Sequence, residues 1–236
     1  MNYHPDIELL LKYSNGSIEP ALSVAIGLHQ KQCPECQQQI ADLESIGGQN
    51  LELMTSSSIK QNSFDRLVAD LDKLPQSKEL IVQKTNTDLH ASNVVATNLT
   101  EDDSFYYAIA ESDKPYFDQL ARFKHDDFEW QKVTSKISST EVELGDPRFK
   151  VEILSFSPHA KIPKHTHLGN EFTLVIQGDF KDQRGEYSVG EFIACDASDE
   201  HQPVAGHSGC VCLAITDAPL NFTGLLGPFI NWFVRH

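Results

Sequence analysis

Hydrophobic positions change their period along this chain, and the change divides it. In residues 1–80 they recur at helical spacing. Ile7, Leu9, Leu10 and Leu11 lie between Pro5 and Tyr13, ahead of the helix-ending pair Asn15-Gly16. Leu22, Ile26 and His29 follow at spacings of four and three between Pro20 and Gln32, which sets them on one helical face. A third helix is expected with Cys33 as N-cap and Pro34 at its first position, running through Ile40 and Leu43 to Gly47-Gly48. After the polar run Ser56-Ser57-Ser58, the residues Phe64, Leu67, Val68 and Leu71 predict a detached fourth helix over Ser63 to Leu74.

Residues 81–104 are rich in Thr, Asn, Ser and acid and read as a linker. Across residues 105–236 the texture becomes that of strands, at Lys150 to Phe156, Glu171 to Gln177, Tyr187 to Ala194 and Cys210 to Thr216. Turn clusters of Gly, Pro and Asp separate them, so an all-β sandwich or barrel is expected. The apolar tail Leu220 to Val234 is interrupted by Gly224, Gly227 and Pro228 and reads as a closing strand. The chain is therefore expected to hold a small all-α bundle followed by an all-β domain. A bundle so short buries little apolar area, and a metal staple would help it substantially.

The 236 residues carry 40% hydrophobic and 22% charged side chains, ordinary for a soluble protein of one large or two small domains. No run of about 18 apolar residues is present, and the start MNYHPDIELL lacks the features of a signal peptide, so a cytoplasmic protein is expected. The net charge of −15 is spread along the chain and opposes direct binding to phosphate backbones, whereas a basic protein partner is compatible with it. Cys33/Cys36, Cys195 and Cys210/Cys212 make an odd count, which argues against a disulfide framework and favours metal or redox chemistry for the clustered ones.

The string His29-Gln-Lys-Gln-Cys33-Pro-Glu-Cys36 brings an imidazole and two thiols to one helix junction. Soft thiolates with imidazole suit tetrahedral Zn²⁺, which takes four protein ligands in a structural site. His4, the other histidine of the helical region, is the best candidate for the fourth. The alternative is a redox CxxC, but the strands that surround such a motif in thioredoxin-like folds are missing. Zinc here would contribute on the order of 10 kcal/mol to folding of the bundle.

A second constellation is His165-Thr-His167-Leu-Gly-Asn-Glu171, closed by Gly178. Two histidines two residues apart share one face of a strand, and His201 can return to the same pocket after one strand and one turn. Three imidazoles and a carboxylate facing a barrel interior suit Zn²⁺, Fe²⁺, Mn²⁺ or Ni²⁺. These residues resemble the two cupin motifs, G(X)5HXH(X)3–4E(X)6G and G(X)5PXG(X)2H(X)3N. His159 stands where the first motif opens with Gly. The second motif is matched at Gly190 and His201, while Asp196, Ser198 and Ala205 replace its Pro, Gly and Asn.

HxxxCxxC preceded by a histidine near the chain start is similar to the signature of zinc-binding anti-sigma domains. Joined to a cupin, it resembles the ChrR-type anti-sigma factors. That resemblance implies zinc ligation by His4, His29, Cys33 and Cys36, a jelly-roll cupin binding zinc or another divalent transition metal through His165, His167, Glu171 and His201, and no catalysis. It implies as partner a sigma factor of group IV, the extracytoplasmic-function type, gripped through apolar helix faces and released when singlet oxygen or a related oxidant acts on the cupin half.

The rival reading is a cupin metal-dependent dioxygenase with a zinc-stabilised helical regulatory domain. A regulator binding DNA directly is weaker still, given the acidic charge. No nucleophile–base pairing, phosphate loop or dinucleotide fingerprint is present. Cys210 and Cys212 would share a strand face near His201. An oxidant-sensing role for them competes with ordinary packing. His90, His125, His159, His207 and His236 have no defensible partner spacing.

Overall fold

The computed structural model describes residues 1–71, 73 and 114–223. The chain forms two compact units, one of residues 1–48 with 100–236 and one of residues 49–99. The expected linker 81–104, His90, His236 and the tail beyond Thr223 lie outside the described residues, as does Leu74, the expected end of the fourth helix.

Helix α1 spans Ile7–Ser14, opened by the Asp6 carboxylate, which accepts from the Leu9 amide at 2.8 Å. Helix α2 spans Pro20–Gln30, and every residue from Ala21 to His29 is buried. Its apolar stripe is not one-sided because both sides are covered: α2 packs against α1, against the short helix α5 (Lys114–Ala121), and against the sheet. Helix α3 begins at Pro34, as expected, but runs to Leu53 rather than ending at Gly47-Gly48. Glycine inside a helix costs only about 1 kcal/mol relative to alanine, and Gln49, Leu51, Glu52 and Leu53 beyond the pair are good helix formers. Helix α5 had no counterpart in the sequence reading; its Phe117 and Leu120 are buried.

The unit of residues 49–99 contains the last turn of α3 and helix α4, Ser63–Leu71. None of the residues of α4 is buried: Phe64, Leu67, Val68 and Leu71 form an exposed apolar stripe.

Among the described residues all strand pairings are antiparallel. Strands β1 (Gln131–Lys132), β2 (Ile137–Glu141), β3 (Lys150–Phe156), β8 (Val204–Thr216), β5 (Glu171–Lys181) and β6 (Glu186–Ser188) follow one another in the sheet, with β7 (Phe192–Cys195) also paired to β5. Strand β4 (His165–His167) pairs separately with β9 (Leu220–Phe222). The single strand expected over Tyr187 to Ala194 is two, because the chain turns at Gly190 with φ +86°. Two bulges kink β5, and Gly178 sits at one of them with φ +73°. A Cβ there would collide with the carbonyl oxygen of Gly209, so the glycine that closes the first motif is required by backbone approach.

Alternation along the strands divides the core. Val211, Leu213 and Ile215 of β8, with Val151, Ile153 and Leu174, share one hydrophobic cluster with α1, α2 and α5. Cys210 and Cys212, with Val175, Phe180, Tyr187, Ile193 and Cys195, face the barrel interior. Helices α1, α2 and α5 thus lie on the outer face of the barrel. Each buried Leu, Ile or Val there contributes roughly 1.5–3 kcal/mol relative to exposure.

Candidate metal centres

The first cluster forms where the chain start meets the α2–α3 junction. His4 Nδ1 lies 3.3 Å from Cys33 Sγ and 3.5 Å from Cys36 Sγ, and His29 Nε2 lies 3.3 Å from Cys36 Sγ. The Cys36 amide points at Cys33 Sγ from 3.5 Å, an arrangement that the N-terminus of α3 imposes. The four donor atoms all lie within 4.8 Å of one another, and His29, Cys33 and Cys36 are buried. Burial pushes the Cys36 thiol up to about 12, with the Cys33 side chain adding to the shift. The same desolvation lowers His29, keeping its imidazole neutral. His29 Nδ1 donates to the carbonyl of Gly190 at 2.6 Å, so Nε2 is the nitrogen left to bind.

Sulfur and nitrogen donors sharing one tetrahedral zinc stand about 3.5 Å apart. The observed spacings fit that, and a cation would convert the buried thiols to thiolates.

The second cluster lies in the mouth of the barrel. Strand β4 carries His165 and His167 on one face, both buried, Glu171 opens β5, and His201 is bridged to His165 through reciprocal backbone hydrogen bonds of 3.0 Å. Each imidazole is oriented through Nδ1: His165 toward the Pro163 carbonyl at 2.8 Å, His167 toward the Asp196 carbonyl at 3.3 Å, and His201 toward Asp182 Oδ2 at 2.9 Å. The Nε2 atoms of His165 and His201 then face each other at 3.0 Å. Two lone pairs so placed repel unless a cation sits between them, and this is the observation that fits a metal. Burial lowers His165 to about 4, leaving it neutral and able to ligate.

Burial opposes the charge on Glu171, but the hydrogen bond from His167 Nε2 at 2.8 Å and the neighbouring imidazoles hold it below the usual carboxylate range. That same bond leaves His167 above its ordinary value, although burial works the other way.

Asp182 was not singled out by the sequence. Its side chain is fully buried and accepts from His201, the Tyr187 hydroxyl at 2.9 Å and the Arg184 amide at 2.8 Å. These contacts depress its pKa well below the carboxylate range against the effect of burial. The departures from the cupin pattern are absorbed locally. Asp196 accepts from the Ser198 amide and hydroxyl at 2.8 and 2.6 Å, building the turn that Pro and Gly would otherwise supply. His159 adopts φ +58°, the left-handed conformation for which the motif uses Gly, and its ring meets that of His207 at 4.7 Å.

The remaining cysteines are buried and unbridged. Cys210 and Cys212 share the interior face, as their spacing implies, and Cys195 receives Arg184 Nη2 at 2.7 Å. Burial pushes the Cys195 thiol up to about 12. His125 stacks on Trp130 at 4.5 Å.

Residues 118–219 match the family described as the ChrR cupin-like domain. Along its whole length the chain is 25% identical to the anti-sigma-E factor ChrR of Cereibacter sphaeroides, covering 99% of that protein. Among solved structures, the complex of Rhodobacter sphaeroides SigE with the anti-sigma ChrR aligns over 91% of this chain and 98% of the matched one, with TM-score 0.66 and 22% identity, a likeness of fold. An RmlC-like cupin protein from Ralstonia eutropha aligns over 48% of this chain and 86% of its own, with TM-score 0.39 and 14% identity. With a helical region carrying a His/Cys cluster ahead of a cupin barrel carrying a His/Glu cluster, the chain resembles the ChrR-type zinc-binding anti-sigma factors from end to end.

Proposed function

We propose that this protein is an anti-sigma factor that binds and inhibits a group IV sigma factor of the extracytoplasmic-function type. The observation that carries the reading is the end-to-end similarity to ChrR in a chain where both donor clusters form. The exposed stripe Phe64, Leu67, Val68 and Leu71 on α4 supplies apolar surface of the kind that covers a protein partner, and Ile7 and Leu11 on α1 separately do the same.

In this reading His4, His29, Cys33 and Cys36 hold a structural Zn²⁺, whose chemistry is to fix the α2–α3 junction and the chain start. His165, His167, Glu171 and His201 hold zinc or another divalent transition metal. Residues 1–80 grip the sigma factor, residues 81–104 link, and the cupin domain of residues 105–236 responds to singlet oxygen or a related oxidant. The protein works in the cytoplasm, without catalysis and without touching nucleic acid. No helix among the described residues is long and apolar enough to cross a membrane.

Release requires that the signalled state bind the sigma factor less tightly than the resting one, since an input indifferent to the two states shifts nothing. The test is co-purification of the full chain with its group IV sigma factor, with metal analysis of the complex and of a His29/Cys33/Cys36 variant. A one-to-one complex, lost in the variant together with one zinc, is the expected result. Absence of any complex with the native chain would overturn the reading.

A further inference from the structure

The contacts that run between the two clusters point to more than two independent sites. At the cupin end, His201 donates to Asp182, whose other oxygen accepts from the Tyr187 hydroxyl at 2.9 Å. The ring of Tyr187 meets that of Tyr3 edge-on with centroids 4.6 Å apart, and Tyr3 directly precedes His4. A second connection is β7 itself. At its start, the Phe192 amide donates to the Tyr3 carbonyl at 3.2 Å, and the adjoining Gly190 carbonyl accepts from His29 at 2.6 Å. Just beyond its end, the Asp196 carbonyl faces His167 Nδ1 at 3.3 Å. Four strand residues, about 13 Å at 3.3 Å each, separate the two ends.

The turn that joins these connections is held by several hydrogen bonds. Glu191, buried, accepts from the Asn2 amide at 2.8 Å through one oxygen and from the Ser188 amide at 2.8 Å through the other. Gly190 and Val175 add backbone bonds of 2.9 and 3.1 Å across the same turn. Tyr187, Gly190 and Phe192 are buried, with only Ser188 and Val189 between them exposed, so displacement at one end presses on packed neighbours.

We propose that Asp182, Tyr187 and the turn from Ser188 to Phe192 are positioning residues that couple the two clusters, so that rearrangement at His201 or His167 moves His4 and His29. This rests on the anti-sigma reading for its purpose, giving the route by which an event in the cupin reaches the helices. Because coupling between sites is reciprocal, the route works in both directions.

The test uses the full, zinc-loaded chain without any sigma factor, and reads alkylation of Cys33 and Cys36 by iodoacetamide, mapped by peptide mass. His201→Ala is expected to speed their modification about fivefold or more, the lower end of typical site-to-site coupling. Tyr187→Phe keeps the ring against Tyr3 and deletes only the hydroxyl. It is expected to speed modification as well, and to make the added effect of His201→Ala smaller than in the native chain.

Alkylation of Cys195, Cys210 and Cys212 serves as the fold control. If His201→Ala exposes these three, that variant has lost its barrel and Tyr187→Phe decides alone. Faster modification of Cys33 and Cys36 with the barrel cysteines still protected supports the coupling, and an unchanged rate overturns it. Failure to co-purify with a sigma factor would sink the anti-sigma reading without altering this result.

Discussion

His29 and Gly190, 161 positions apart, are joined by a 2.6 Å hydrogen bond from Nδ1 to the backbone carbonyl, while His29 Nε2 faces Cys36 Sγ at 3.3 Å. One imidazole therefore belongs to the helical cluster and to the barrel at once. Its tautomer is set by the barrel turn, so the quality of the His/Cys site depends on a residue far away in sequence.

Replacing Cys36 by Ser should remove one zinc per chain and weaken folding of residues 1–48 by several kcal/mol, within the roughly 10 kcal/mol that structural zinc supplies. Metal analysis with hydrogen exchange over α1 to α3 checks this. Full zinc content in the variant would exclude Cys36 as a ligand.

Changing His165 to Ala should abolish metal at the cupin cluster and leave the His/Cys site loaded, since no donor is shared between them. Loss of a ligand's contribution commonly lowers metal affinity by orders of magnitude, and even an outer-shell change costs roughly 10–100-fold. Asp182→Asn is accordingly expected to weaken cupin metal affinity by about that factor, measured by competition with a chelator of known strength.

Leu67, 59% exposed on α4, is expected to matter for the partner and not for the fold. Leu67→Asp should shift folding stability by no more than about 0.5 kcal/mol. If it seats in the sigma factor, affinity falls by roughly 30-fold, as for an interface hot spot. Titration calorimetry against the sigma factor, beside a urea melt of the free chain, separates the two effects.

At Gly178 the expectation is reversed. Alanine there meets both a φ of +73° and the Gly209 carbonyl, and should cost about 2 kcal/mol or more. A urea denaturation curve with unchanged midpoint would contradict the packing described for the β5 bulge.

Much of this architecture was legible in the sequence, and most of what was not depends on contacts distant along the chain. The proximity of His29, Cys33 and Cys36 followed from spacings of four and three across a helix junction, and that of His165 and His167 from strand alternation. Gly178 and Gly190 marked real left-handed turns. Asp182 went unnoticed because it meets His201 only through the return of the chain 19 residues later. The Gly190 carbonyl carries no side-chain signature at all. Helix α2 showed a one-sided pattern at Leu22, Ile26 and His29, yet is buried all round; Ala21, Val24, Ala25 and Leu28 filled the other faces and pointed to a cover that sequence periodicity could not name. The end expected for α3 at Gly47-Gly48 failed because two glycines lower helix propensity without forbidding the helix.

The burial of α2 on every side bears on how such proteins can be recombined. Transplanting the helical part onto a different cupin would carry Val24, Leu28 and His29 onto a surface without the outward residues of β3, β5 and β8, and without a carbonyl at the position of Gly190. Successful chimeras would have to move that sheet face and that turn along with the helices, so that the seam between helix and barrel travels as one piece.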